Sequence, residues 1–175
     1  MDKKELLGIY RTKLNHITLC YGSMVLWAFP DTPDFFNELH GQTVKKYGLF
    51  PDIEGLLSDK QAFRIATEEM YASAHRSAVK ELFALTKKYC FDTDQLELIR
   101  VQPWFPFWRV IRNCWSHDMR FNFNKSERKL LPIRWLNVTI YPEMDGRPLT
   151  HGDFSYEHIR LLLETAAAYV NENLA

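Results

Sequence analysis

The chain has few cysteines and no excess of charge of either sign. Its three cysteines, Cys20, Cys90 and Cys114, are widely spaced among 175 residues and form no Cys-x-x-Cys pair. An odd number at this spacing argues against a disulfide framework and against a cysteine zinc site. The 22 basic residues equal the 22 acidic ones, so any contact with nucleic acid must come from a local basic patch.

The chain also lacks the segments and loops that mark membrane, secreted and nucleotide-binding proteins. No stretch approaches the ~18 consecutive apolar residues of a membrane span, and no apolar run of signal-peptide type follows Met1. No Gly-rich phosphate loop, Gly-x-Ser-x-Gly elbow or His-Glu-x-x-His string occurs. These absences predict a cytoplasmic protein with no cofactor and no membrane partner.

The composition is that of a packed globular protein, with 46% apolar and 14% aromatic residues. The length suits one domain, and no repeat, low-complexity tract or linker divides the chain. We therefore expect a single domain over residues 1–175.

Apolar periodicity predicts a mainly all-α bundle of roughly five helices. The predicted helices cover residues 4–28, 33–47, 59–90, 106–120 and 155–173. Ser58 followed by Gln61 predicts a capping box before the third helix. That helix carries apolar residues on more than one side, so we expect it at the centre of the bundle. A β-rich run over residues 133–141, with Asp145-Gly146 as a turn signal, predicts a small β-hairpin before the last helix.

The predicted helix over residues 106–120 has two sharply different faces. On a helical wheel one arc is apolar and must face the core: Phe107, Trp108, Ile111, Cys114 and Trp115. The opposite arc is polar: Arg109, Arg112, Asn113, Ser116, His117 and Arg120. No acidic residue interrupts this arc before Asp118, so its arginines have no partner on their own helix.

Three residues of the polar arc, Arg112, Asn113 and His117, have the chemistry needed to cleave RNA without a metal. A histidine exchanges protons near neutral pH. An arginine binds a phosphate through two hydrogen bonds and stabilises developing negative charge, and an asparagine orients either group. The 2′-hydroxyl of RNA supplies the nucleophile, so the protein need not.

These residues resemble the motif of HEPN domains, in which an arginine and a polar residue are followed by three variable residues and a histidine. The matching segment reads Arg112-Asn113-Cys114-Trp115-Ser116-His117. HEPN domains are helical bundles, many of them ribonucleases of toxin–antitoxin, phage-defence and RNA-processing systems, and others are catalytically silent binding or scaffold modules. As in that family, the motif lies at the end of one predicted helix and before the last.

The resemblance implies a role for each residue of the motif. Arg112 binds the scissile phosphate, His117 acts as general base or acid, and Asn113 orients one of them. A homodimer with the motifs of both chains facing one cleft is also implied. The function expected is a metal-independent endoribonuclease, the toxin or defence component of a two-component system with an antitoxin as partner. The alternative is a silent dimer that binds RNA, a nucleotide or a protein.

A local basic excess surrounds the motif. Residues 101–140 contain seven basic and two acidic residues. The residues predicted to bind RNA are Arg109, Ser116, Arg120, Lys125, Arg128 and Lys129. Phe121 and Phe123 lie among them, either as stacking platforms for bases or, as we favour, as core anchors of a loop.

A second reading of the motif region concerns the dipeptide His117-Asp118. The same dipeptide occurs in metal-dependent phosphohydrolases of the HD type, which need further His and Asp ligands on neighbouring helices. His75 is a candidate, although a lone histidine on a buried helix is more often a hydrogen-bonded core residue. His151, in a predicted loop, is close enough in sequence to the last helix to approach the cleft.

Overall fold

The computed structural model describes residues 1–36, 38–39 and 53–175. The chain is mainly helical with a small two-stranded antiparallel sheet before the last helix, which confirms the predicted fold class. The helices are α1 (Lys3–Leu26), α2 (Ile53–Ser58), α3 (Lys60–Asp92), α4 (Leu96–Arg100), α5 (Trp104–Ser116), α6 (Lys125–Arg128) and α7 (Tyr156–Asn173). The strands are β1 (Ile133–Trp135) and β2 (Val138–Ile140). Residues 32–36 are also helical, and most of the predicted helix 33–47 falls outside the described residues.

The chain forms two compact units. Helices α1 and α3 each contribute residues to both units. The first unit contains residues 1–14 and 75–175, and the second contains residues 15–74. The expectation of a single domain stays a prediction.

Helix α5 is the centre of the first unit. The indole of Trp108 donates to the Val79 carbonyl of α3 at 3.1 Å. The ring of Phe107 lies 5.5 Å from that of Trp135 on β1, and Trp104 contacts Tyr169 of α7 at 5.6 Å. These aromatic contacts bury the apolar arc of α5 and hold its other side outward.

The second unit contains the later part of α1, the early part of α3 and α2. The ring of Trp27 stacks on Phe36 at 4.5 Å and meets Phe63 edge-on at 4.9 Å. Ile65 and Met70 of α3 are 53% and 37% exposed. The prediction that α3 is a central helix therefore fails for its first half. It holds in the first unit, where Val79, Leu82 and Phe83 are buried.

The β-hairpin lies where predicted but turns elsewhere. Ile133 pairs with Ile140 and Trp135 with Val138, so Leu136 and Asn137 form the two-residue turn. Leu136 has φ 52°, a conformation usual for Gly or Asn, and its identity gave no turn signal. Asp145-Gly146 instead forms a later turn, in which Gly146 has φ 77° and donates to the Phe121 carbonyl at 2.7 Å.

Helix boundaries differ from the predictions through local capping. The side chain of Asp59, not Ser58, accepts from the backbone of Gln61 and Ala62 at 3.0 Å, because Ser58 is the last residue of α2. Ser155 caps α7 as expected, within a capping box completed by His158. None of the helices in the described part of the chain is long and apolar enough to cross a membrane.

Candidate functional site

The polar arc of α5 is graded from half-buried to exposed along the helix. Arg109, Arg112 and Asn113 are half-buried, whereas Ser116 and His117 are exposed. The apolar arc is buried throughout, Trp115 included. The helical wheel therefore separates the buried face from the exposed face correctly. Arg109 and Arg112, however, are less exposed than side chains on a fully solvated helix face would be.

The guanidinium of Arg112 is held in place from two directions. Its Nη1 donates to Oδ1 of Asn113 at 2.8 Å, and its Cζ lies 5.2 Å from the ring centroid of Phe83 on α3. The cation–π contact fixes the plane of the group, and the hydrogen bond fixes its rotation. The side chain of Asn113 therefore restricts the orientation of the Arg112 guanidinium, and its role in a reaction stays a prediction.

Asn113 is oriented in turn by a buried acid that sequence reasoning missed. Its Nδ2 donates to Oε1 of Glu127 at 2.6 Å. Glu127 is 1% exposed, and its Oε2 accepts the backbone N–H of Asn124 at 3.0 Å. Nε of Arg109 lies 3.6 Å from the same Oε1. Arg109 therefore has an acidic partner, but that partner comes from α6 and not from its own helix.

The position of Glu127 follows from a local pattern in the sequence. Asn124 and Glu127 form a capping box at the start of α6, in which each side chain accepts from the other's backbone. This box points Glu127 inward toward α5. Asn-x-x-Glu is a recognisable capping signal, but nothing in it reveals which helix the glutamate meets.

His117 stands at the point where α5 ends. Helix α5 stops at Ser116, four residues before the predicted end, and His117 is its C-cap with φ −133° and ψ 100°. Within residues 1–36, 38–39 and 53–175 no hydrogen bond or ion pair engages its imidazole. The ring is therefore exposed, without a protein group to orient it.

The turn after His117 is conformationally unusual. Asp118 and Met119 both have positive φ, 37° and 57°, where Gly is the usual residue after a helix. Met119 donates to the Cys114 carbonyl at 3.1 Å and accepts from Leu149 N–H at 2.7 Å. Such outliers persist only where the surroundings hold them, and they cluster at functional sites. This turn sets where His117 leaves the helix.

The predicted RNA-binding residues divide into paired and unpaired groups. Arg109 is paired with Glu127, and Arg128 with Asp145. Ser116 donates to the Arg112 carbonyl at 2.9 Å, and Arg120 to the Gly146 carbonyl at 2.9 Å. Three exposed cations have no ion pair within the described residues: Arg120, Lys125 and Lys129. The basic patch therefore has fewer unpaired cations than the number of basic residues in the sequence suggests.

Of the remaining candidates, Phe121, Phe123 and His75 are buried, and His151 is exposed. Phe121 and Phe123 are 1% and 3% exposed, which confirms them as core anchors and rules out base stacking in this conformation. His75 is fully buried against the ring of Tyr156 at 4.5 Å, and exposed His151 contacts the same tyrosine at 4.6 Å. The described residues contain no group of three or more His, Cys, Asp or Glu side chains able to hold a metal, so the ligands that the HD reading needs are not brought together there.

Comparisons with known proteins return nothing: no family model, no curated protein and no solved structure matches this chain.

Proposed function

We propose that this protein is a metal-independent endoribonuclease of the HEPN type, acting as the toxin or defence component of a two-component system. The observation that carries the proposal is the contrast within one motif. Arg112 is fixed by Asn113 and Phe83, whereas the imidazole of His117 is exposed at the helix end and forms no hydrogen bond with the described residues. A fixed guanidinium suits anion binding, and an imidazole whose ring nitrogens have no protein partner is available to exchange a proton with a substrate.

In the proposed reaction the 2′-hydroxyl oxygen of RNA attacks the adjacent phosphorus. The bond from phosphorus to the 5′-oxygen breaks and leaves a 2′,3′-cyclic phosphate and a 5′-hydroxyl. Arg112 stabilises the negative charge on the phosphorane oxygens. His117 takes the proton of the 2′-hydroxyl or gives one to the leaving 5′-oxygen. One imidazole serves one of these steps at a time, which favours a homodimer that brings two motifs to one cleft, with an antitoxin protein as a further partner.

The second candidate is a silent HEPN-like dimer that binds RNA, a nucleotide or a protein. The hydrogen bonds that buried Glu127 accepts from Asn113 and from the Asn124 backbone favour it, because a hydrogen-bonded buried network is also what a structural core requires. In that case Arg112 and His117 are ligand contacts only.

The test is cleavage of a mixed RNA pool by His117→Ala. We expect the rate to fall roughly 10²–10⁴-fold, the usual contribution of a positioned acid–base group. The melting temperature should not move, because the side chain is exposed and makes no hydrogen bond. Arg112→Ala should reduce the rate comparably. It should also destabilise the fold by about 1 kcal/mol, because it removes the Phe83 and Asn113 contacts.

The matched control is His16→Ala, which changes an exposed histidine on α1 and should leave the rate intact. Activity should persist in EDTA, and products should end in a 2′,3′-cyclic phosphate. Loss of activity in EDTA would favour the metal-dependent alternative. A folded wild-type protein that cleaves no RNA would favour the silent binding module.

A further inference from the structure

The first unit contains a cavity of about 220 Å³ beside β2. Ile111, Phe121, Leu149 and Phe154 contribute apolar walls, and Gly152 lines the cavity without a side chain. The polar lining comes from β2 and its turn, from Asp153 and from His158. Polar groups contribute more of the lining surface than apolar ones, so hydrogen bonding, and not apolar burial alone, determines what fits the cavity.

The backbone of Thr139 has a hydrogen-bonding pair that the two-stranded sheet does not use. In a two-residue hairpin the residues flanking the turn, Trp135 and Val138, exchange both hydrogen bonds. The next pair, Arg134 and Thr139, is then a non-hydrogen-bonded pair, so the N–H and C=O of Thr139 point away from β1. Within the described chain no other backbone group takes them up, and Thr139 lines the cavity.

The ionisable groups of the lining carry no unpaired charge. The carboxylate of Asp153 accepts from Arg147 at 2.7 Å and from the Thr150 backbone and hydroxyl at 3.0 and 2.7 Å. Nδ1 of His158 accepts the Ser155 N–H at 3.2 Å, which assigns the ring proton to Nε2. Nε2 then donates to Asn137 Oδ1 at 3.1 Å, so both ring nitrogens are engaged. An anionic ligand finds no free cation here.

We propose that this cavity binds a neutral two-ring heterocycle with the chemistry of a purine base. A cavity of about 150 Å³ accommodates one benzene ring, so 220 Å³ has room for a fused pair. The edge of a purine carries a hydrogen-bond donor beside an acceptor, which matches the C=O and N–H of Thr139.

An extended peptide fits this edge less well. β-augmentation depends on several outward-pointing residues along a strand, and three-residue β2 offers one such pair. The inference does not depend on RNA cleavage, because binding of a free nucleoside is measured without any reaction.

The experiment is a titration of the whole ¹⁵N-labelled protein with adenosine, followed by amide chemical shifts. The Thr139 and Gly152 amides should show the largest saturable shifts. Indole, with two rings but no ring acceptor for the Thr139 N–H, should bind roughly tenfold more weakly than adenosine or worse. Thr139→Pro removes the N–H at a position where the sheet does not use it, and should weaken adenosine binding by roughly tenfold or more. Thr139→Ala, which keeps the N–H, should bind as the wild type does.

The inference is overturned if adenosine at millimolar concentration shifts neither amide, or shifts residues on the polar arc of α5 instead. It is also overturned if Thr139→Pro is folded and binds as tightly as Thr139→Ala. If Thr139→Pro does not fold, the wild-type titration with adenosine and indole decides the question by itself.

Discussion

At the scale of single residues, the chain from Arg112 through Asn113 to Glu127 explains how a charged group is held at a helix surface. Arg112 donates to Asn113, Asn113 donates to Glu127, and Glu127 is buried. Removing one partner of a buried charged group costs more than the net contribution of the pair, because the other partner keeps its desolvation penalty. The predictions at this scale concern this acid and its neighbouring thiol.

Glu127→Gln removes the buried charge together with one of the two acceptor oxygens. Glutamine can accept from Asn113 or from the Asn124 backbone but not from both, because Glu127 uses a different oxygen for each, and Arg109 loses its counter-charge at 3.6 Å. We expect the free energy of unfolding, measured in urea, to fall by about 1–3 kcal/mol. Asp118→Asn, at an exposed acid, should change it by less than about 0.5 kcal/mol. Equal effects of the two substitutions would show that the Arg109 ion pair contributes nothing.

The cysteines should be unreactive in the folded protein. Burial, and secondarily the charge of Glu127, raises the pKa of Cys114 to about 12. Burial also raises the pKa of Cys90 to about 11 and that of Cys20 above its usual value. At pH 8 a thiol of pKa 12 is ionised in about one molecule in 10⁴. Iodoacetamide followed by mass spectrometry should label none of the three in buffer and all three in denaturant. Rapid labelling of Cys114 in buffer would contradict its burial.

At the scale of elements, the sequence predicted a helix correctly wherever apolar periodicity or a capping residue determines where that helix begins and ends. The predicted helices at residues 4–28, 59–90 and 155–173 differ from α1, α3 and α7 by no more than two residues at each end. Apolar spacing and the Ser155 cap are local features, so they can be recognised in the sequence without knowledge of the tertiary structure. The end of α5 was missed because Asp118, not a glycine, adopts the left-handed conformation after it.

Tertiary contacts account for what the sequence did not reveal. The partner of Glu127 and the burial of Phe121 both depend on segments distant in sequence. The motif residues were found because their spacing on one helix is fixed, whereas the orientation of Arg112 depends on Phe83 of another helix. Spacing identifies candidates for a site, and packing decides which of them are held rigid.

The turn before α7 should be sensitive to acid. Burial alone raises the pKa of Asp153, but hydrogen bonds from Thr150 and Arg147 outweigh it and hold that pKa below the ordinary value. A lowered folded pKa means that the carboxylate stabilises the protein above the unfolded pKa of about 3.9. That contribution is lost as the pH falls through the folded pKa.

Asp153→Asn should therefore lower the unfolding free energy by about 1–2 kcal/mol at pH 7, and by progressively less below about pH 4. Urea titrations at neutral and acidic pH measure the difference. Glu143→Gln, at an exposed acid in the same segment, should have little effect at either pH. A penalty for Asp153→Asn that is the same at both pH values would contradict the assigned role of the charge.

At the scale of the whole molecule, the zero net charge and the positions of the unpaired cations determine which partners the protein can attract. The chain has no net charge, so long-range attraction to RNA is weak. Two arginines of the basic segment are neutralised by Glu127 and Asp145. The unpaired cations near the motif are too few to hold RNA tightly from one chain, and a second copy doubles them.

The homodimer is therefore the prediction on which the proposed site depends most. A symmetric pair with both α5 polar arcs facing one cleft doubles the cations and brings two imidazoles to one phosphate. Light scattering should give twice the 20.7 kDa chain mass.

Ser116→Cys places a thiol on the exposed polar arc, where a short bismaleimide should join it to its symmetry mate. The native cysteines should not interfere, since all three are buried. Thr12→Cys, exposed on α1, is the control and should stay uncrosslinked. A monomer at micromolar concentration, or a dimer that cross-links through Thr12→Cys but not through Ser116→Cys, would remove the shared cleft. His117 would then have to act without a second imidazole.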